Sequence, residues 1–192
     1  MSKFAPLFVL CALAGGIVTN GSVWAADTLK GEGVKSPTEK PVTGPVTDAD
    51  LYHEMRLQAG QYAAQNRHQI LVGDFTCDGQ TDRIAGWVDR DHPDGPFFDV
   101  LFVTREGGKL GSELKHIPFA QDKQFALCVA DDTAPPPMSW QQVEPDYVRD
   151  VVGNADLCTT AVRIEDFMCD APQFYWNKTA DKNGDHWVFY RN

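Results

Sequence analysis

The stretch Asp74-Phe-Thr-Cys-Asp-Gly-Gln-Thr-Asp82 places carboxylates at the first, fifth and ninth positions of a nine-residue loop, with a glycine at the sixth. Two short apolar runs flank it, Gln69-Ile-Leu-Val-Gly73 and Arg83-Ile-Ala-Gly-Trp-Val88, and both read as strands. Clustered acids at such a junction repel one another unless a cation compensates them. Asp74, Thr76 and Asp78 fall at alternate positions, so a curling backbone turns their side chains toward one centre. Gly79 permits the sharp turn between them, because it lacks the Cβ that disfavours unusual backbone angles. The carbonyl of Gln80 is a further candidate ligand, and Asp82 closes the set. A hard cation suits these donors, since Ca²⁺ takes roughly six to eight oxygens from carboxylates, carbonyls and water. The competing reading is a polar turn between two strands, with acids that serve solubility.

The spacing fits an EF-hand only in part. Counting from Asp74, the twelfth position is Ala85, where an EF-hand carries a bidentate Glu. The loop instead resembles the calcium loops of FG-GAP and VCBS-type repeats, which lie between two β-strands. Gly73-Asp74-Phe75, Asp78-Gly79 and Asp82 match that pattern, and Thr76 departs from it, standing where Asn or Asp is usual. The resemblance implies Ca²⁺ held by Asp74, Thr76, Asp78, Gln80 and Asp82. It covers a single copy, so a propeller is not implied.

Residues 1–25 read as a secretory signal peptide. Lys3 supplies the charged start, Phe4 to Val18 the apolar run, and Val23-Trp-Ala25 a small-residue cleavage site. The run is too short and glycine-broken for a comfortable span, and no later segment could cross a membrane. Cleavage leaves Cys77, Cys128, Cys158 and Cys169. An even set of cysteines in an exported chain points to disulfides. The expected pairs are Cys158–Cys169, which closes a short local loop, and Cys77–Cys128. Zinc finds no Cys-x-x-Cys and no histidine at ligand spacing. The formal charge of −10 argues against nucleic acid and anionic membranes and is compatible with a basic protein partner.

Residues 26–46 are rich in Pro, Gly, Thr and charge, and read as a flexible tether that buries too little to fold. One globular domain follows over 47–192. Thr47 is a helix cap, with Asp48 and Asp50 in the first turn, and Leu51, Met55, Ala59 and Tyr62 recur at helical spacing over 48–66. Strands are expected near 69–75, 83–89, 98–105, 113–119, 124–130, 160–165, 171–177 and 186–191. Gly107-Gly108 and 91–96 read as turns, Ala134-Pro-Pro-Pro-Met138 as a rigid break, 145–152 as a short helix entered through Pro145, and Asn183-Gly184 as a hairpin turn. The fold class is α+β: mainly antiparallel sheet, an N-terminal helix packed on it, and disulfides.

Other chemistry is sparse. Asp89-Arg-Asp-His-Pro-Asp-Gly95 is a second acid cluster, placed to lie at the far end of the strand leaving the loop. It could hold a second ion. Asp181, Asn183 and Asp185 alternate, as a hairpin tip explains. His53, His68, His92, His116 and His186 form no His-x-x-x-His pair. Neither Ser112 nor Ser139 has a nucleophile-elbow context, and the adjacent acids Glu165 and Asp166 do not by themselves make a glycosidase. Phe174-Tyr-Trp176 and Trp187-Val-Phe-Tyr190 pair as an aromatic hairpin, with half its rings on each face. The outward half is either a binding face or cross-strand packing.

Together these features read as an exported, periplasmic or secreted, calcium-binding module without catalytic residues. A weaker similarity, at the level of fold and loop, is to periplasmic lysozyme-inhibitor and immunity proteins. It implies a basic cell-wall hydrolase such as lysozyme as partner. The alternatives are an envelope hydrolase with structural calcium, and a structural or assembly protein of the envelope.

Overall fold

The computed structural model describes residues 43–65, 68–120, 125–128 and 135–191. The leader and all but the end of the segment read as a tether lie outside these residues. Val46, at that end, is buried, and its N–H donates to Thr81 O at 2.8 Å. Ordered packing thus starts ahead of Thr47.

Helix α1 (Asp48–Gln65) begins at a reciprocal cap. Thr47 Oγ1 accepts the Asp50 N–H at 3.2 Å, and Asp50 Oδ2 accepts the Thr47 N–H at 2.8 Å. Of the predicted stripe, Leu51 and Met55 are fully buried and Ala59 is half-buried, while the Tyr62 side chain lies outside the described residues. Gly60 takes positive φ and kinks the helix.

Eight strands form two four-stranded antiparallel sheets in simple sequential order. The first holds β1 (Gln69–Gly73), β2 (Asp82–Asp89), β3 (Phe97–Glu106) and β4 (Lys109–Pro118). Gly107 and Gly108 both have positive φ and join β3 to β4 as a two-residue hairpin, the backbone that matches strand twist. The second sheet holds β5 (Met138–Gln142), β6 (Thr160–Ile164), β7 (Gln173–Trp176) and β8 (Trp187–Tyr190). Between β5 and β6, α2 (Pro145–Tyr147) runs on into a single wide π turn over Val148–Val152.

Strand alternation sorts the side chains into layers. Ile84, Val88, Phe98, Val100, Phe102 and Ile117 face the second sheet and meet Met138, Val162, Ile164, Phe174, Trp176 and Trp187 in the main core. The opposite face of the first sheet gives Ala85, Trp87, Leu101 and Val103 to α1. The outer face of the second sheet gives Ala161 and Tyr175 to Val148 and Leu157. The order is therefore helix, sheet, sheet, helical turn. The sheets approach closely at Gly86, where a Cβ would lie 2.5 Å from Met138 Sδ and 2.8 Å from Phe98 Cζ.

The α+β class, the antiparallel pairing and the disulfides agree with the sequence reading. Four particulars differ. The strands divide between two sheets. Met138–Gln142 forms β5 directly after the prolines, where the sequence shows only a break. Of the strand expected over 124–130, the described residues contribute one isolated bridge, Phe119 to Leu127. The disulfides are Cys77–Cys158 and Cys128–Cys169, which corrects the expected Cys158–Cys169 and Cys77–Cys128. Cys158 precedes β6 and Cys169 follows it. A strand of that length spans roughly 16 Å, far beyond the roughly 7 Å limit for a disulfide.

Candidate functional site

Residues 74–82 join β1 to β2 and curl around their own carboxylates. Asp74 Oδ1 accepts the Asp78 N–H at 3.2 Å, and its Oδ2 accepts the Gly79 N–H at 3.0 Å. Asp78 Oδ1 accepts the Gln80 N–H at 2.8 Å. Asp82, 1% exposed, turns inward, and its Oδ2 accepts the N–H groups of Phe75 at 2.9 Å and Thr76 at 3.1 Å. Gly79 supplies the expected positive φ. Cys77 also takes positive φ, tied down by its disulfide to Cys158. Beneath the loop the Phe75 ring is fully buried.

Burial pushes the Asp82 carboxyl up to about 6 against the opposing effect of its hydrogen bonds. Thr76 Oγ1 is buried and makes no hydrogen bond of good geometry, although the hydroxyl is close enough to favour the charged form of Asp82. Asp78, Gly79 and Gln80 are exposed and Asp74 is half-buried. The structure thus brings all five predicted positions into one loop, with Thr76 and Asp82 inside and the rest toward solvent. Among the described residues, the only three His, Cys, Asp or Glu side chains whose ligand atoms lie within 4.8 Å of one another are Cys128, Asp166 and Cys169. Two of these are disulfide-bonded. The three loop acids do not all come within that distance of one another, and each is held by backbone donors.

A cavity of about 300 Å³ adjoins the loop, lined by Thr76, Cys77, Asp78, Glu106, Trp176 and Lys178 among others. A neighbouring one of about 260 Å³ shares Glu106 and Trp176 and reaches Glu113 and His186. His186 stacks on Trp176 with ring centroids 4.2 Å apart. The two carboxyls that burial raises, Asp82 and Asp99, line neither cavity.

The remaining candidates separate. Ser112 donates to Glu54 at 2.6 Å and Ser139 to Glu165 at 3.2 Å, so carboxylates hold both hydroxyls. Asp166 accepts the Cys128 N–H and pairs with Arg191 at 3.0 Å, bracing the second disulfide. Asp181 accepts N–H groups from Asn183 and Asp185 at the hairpin tip, and these bonds hold its carboxyl below the usual range. The β7 half of the aromatic hairpin is covered on both faces: Phe174 and Trp176 enter the main core, and Tyr175 is fully buried beneath Val148 and Leu157, whereas Val188, Phe189 and Tyr190 on β8 are half-buried. A grouping not visible in the sequence is Asp99 with His116 and His92. It becomes apparent only once β3 and β4 are in register.

No family model, no curated protein and no solved structure matches the chain.

Proposed function

We propose that the protein is an exported, non-catalytic binding module whose 74–82 loop holds Ca²⁺, and that its partner is a basic protein of the cell-wall hydrolase class, such as a lysozyme. The observation that carries the calcium reading is the buried Thr76 hydroxyl. A buried hydroxyl without a well-formed hydrogen bond would be satisfied by a bound cation, and this one lies close to Asp82 in a loop that also holds Asp74 and Asp78. Asp74, Thr76, Asp78, Asp82 and the Gln80 carbonyl would hold the ion. The ion would neutralise the acids and fix the turn between two core strands. The lone pairs not used by backbone N–H groups are available to it.

The partner reading rests on the formal charge of −10, which favours a basic protein through complementary potential. Two disulfides suit an oxidising compartment, and no helix among the described residues is long and apolar enough to cross a membrane. The hydrolase alternative asks for a cleft with converging acids of shifted pKa. The two cavities instead mix Asp78, Glu106 and Glu113 with Lys109 and Lys178, which suits binding better.

Thermal unfolding with Ca²⁺ and with EDTA, on the parent and on Asp78→Ala, tests the calcium reading. A ligand bound only by the native state raises the midpoint. The expected result is a calcium-dependent rise that Asp78→Ala abolishes, and the absence of any shift reduces the loop to a polar turn. An excess of a basic lysozyme that neither binds nor loses activity at moderate salt removes this partner class. Stable co-purification with another envelope protein would then favour the assembly role.

A further inference from the structure

At the end of the first sheet opposite the 74–82 loop, β2 runs out into Asp89-Arg-Asp-His-Pro-Asp-Gly95 and β3 returns from Phe97. Register places Asp99 beside His116. Asp99 is 2% exposed, and its Oδ1 lies 2.7 Å from His116 Nδ1. A buried carboxylate on Nδ1 selects the tautomer that donates there and leaves the Nε2 lone pair available, the arrangement that orients metal-ligating histidines.

His92 folds back from the loop so that its ring centroid lies 5.5 Å from that of His116 and 4.4 Å from that of Phe97. Its Nδ1 receives the Asp94 N–H at 3.2 Å, with Asp94 Oδ2 3.9 Å away. A small shift would let Nδ1–H donate to that carboxylate instead. The His92 Nε2 would then present a lone pair as His116 does.

The separation suits a shared ion. A zinc–nitrogen bond of about 2.0–2.1 Å puts each ring centre about 3.2 Å from the metal, so two ligands at a tetrahedral angle have centroids about 5.2 Å apart. Among the described residues neither Nε2 has a hydrogen-bond partner. Asp89 is close enough to act on Asp99 electrostatically and adds negative charge to the group.

We propose that His92 and His116, with Asp99 behind His116 and Asp94 behind His92, form a binding site for a borderline transition-metal dication such as Zn²⁺, separate from the calcium loop. Nitrogen donors select such an ion over Ca²⁺, which prefers oxygen. Two protein ligands and water complete the coordination.

Untagged protein titrated with Zn²⁺ by calorimetry, in saturating Ca²⁺, provides the test. The expected result is one Zn²⁺ per chain. His92→Ala and His116→Ala should each weaken it by about tenfold or more, and Asp99→Asn by about tenfold through loss of the orienting partner. Asp78→Ala, confined to the other loop, should leave Zn²⁺ binding unchanged. With Co²⁺ as a paramagnetic probe, the His92 and His116 imidazole resonances should shift ahead of those of His53, His68 and His186. Because both histidines are at the surface, circular dichroism of each variant separates lost ligation from lost folding. No saturable binding by the parent, or binding that survives the double replacement in a folded variant, overturns the proposal.

Discussion

The carboxylate of Glu113, on β4 of the first sheet, accepts the backbone N–H of His186, just ahead of β8 of the second, at 2.7 Å. Its other oxygen takes the Trp187 N–H at 3.3 Å, and Lys115 beside it pairs with Asp185 at 2.7 Å. Across the sandwich Gln69 does the same for β1 and β5. Its Oε1 accepts the Met138 N–H at 2.9 Å, and its Nε2 donates to Pro136 O at 2.7 Å. Side chains thus supply partners for edge-strand backbone groups that no ladder satisfies.

Glu113→Ala removes two acceptors at a partly buried edge, and should lower stability by about 1–3 kcal/mol. Glu113→Gln retains one carbonyl oxygen and should cost less. Urea unfolding of both variants ranks them; equal stability of parent and Glu113→Ala would show that water replaces the carboxylate.

Asp82 makes stability depend on pH. Its folded-state pKa of about 6 exceeds the ordinary value of 3.8, so between these pH values the folded chain holds a proton that the unfolded chain has released. Stability in EDTA should therefore fall as pH rises through about 4 to 6, by about 2–3 kcal/mol in full. Asp82→Asn keeps an acceptor for Phe75 and Thr76 and should flatten that slope. Chemical unfolding at several pH values measures it. If Ca²⁺ binds there, adding it should reverse the decline above pH 6, because the ion selects the ionised carboxylate.

At Gly86 the two sheets pack with no room for a side chain. Gly86→Ala drives a methyl into Met138 and Phe98, and should destabilise by about 1–3 kcal/mol, with Gly86→Val worse. Thermal melts of the two variants decide this, and an Ala variant as stable as the parent would mean that Met138 simply swings aside.

Peptide mapping without reduction should recover Cys77 linked to Cys158 and Cys128 linked to Cys169. The bonds span 81 and 41 residues of sequence. Chain entropy in the unfolded state then assigns each about 4 kcal/mol. The Cys77→Ala/Cys158→Ala double variant should melt well below the parent. A map that returns Cys158–Cys169 would contradict the strand order around β6.

Much of the fold was legible locally. The Thr47 cap, the Leu51 and Met55 stripe, the Gly107-Gly108 hairpin and most strands follow from neighbours within a few positions, where propensity and periodicity operate. β5 was hidden because Ser139, Gln141 and Gln142 are polar and its inward side chains gain partners only from β6 and the first sheet. Of the candidate site, the loop and its five positions were legible. That Asp82 turns inward while Asp78 stays exposed was not, since burial depends on what packs over the loop. Nor was the fate of the hairpin's outward rings: the 145–157 segment covers Tyr175, while Tyr190 stays half-buried.

The sequence by itself determined the alternation of strands, the turn chemistry, the helix start and the placing of acids between β1 and β2. Each is a short-range consequence of backbone sterics and side-chain period. Tertiary structure alone decided the division into two sheets, the disulfide partners and the meeting of His92 with His116 and Asp99. Those depend on which strand ends lie together, and a chain folded back on itself brings together residues whose spacing in sequence carries no record of it.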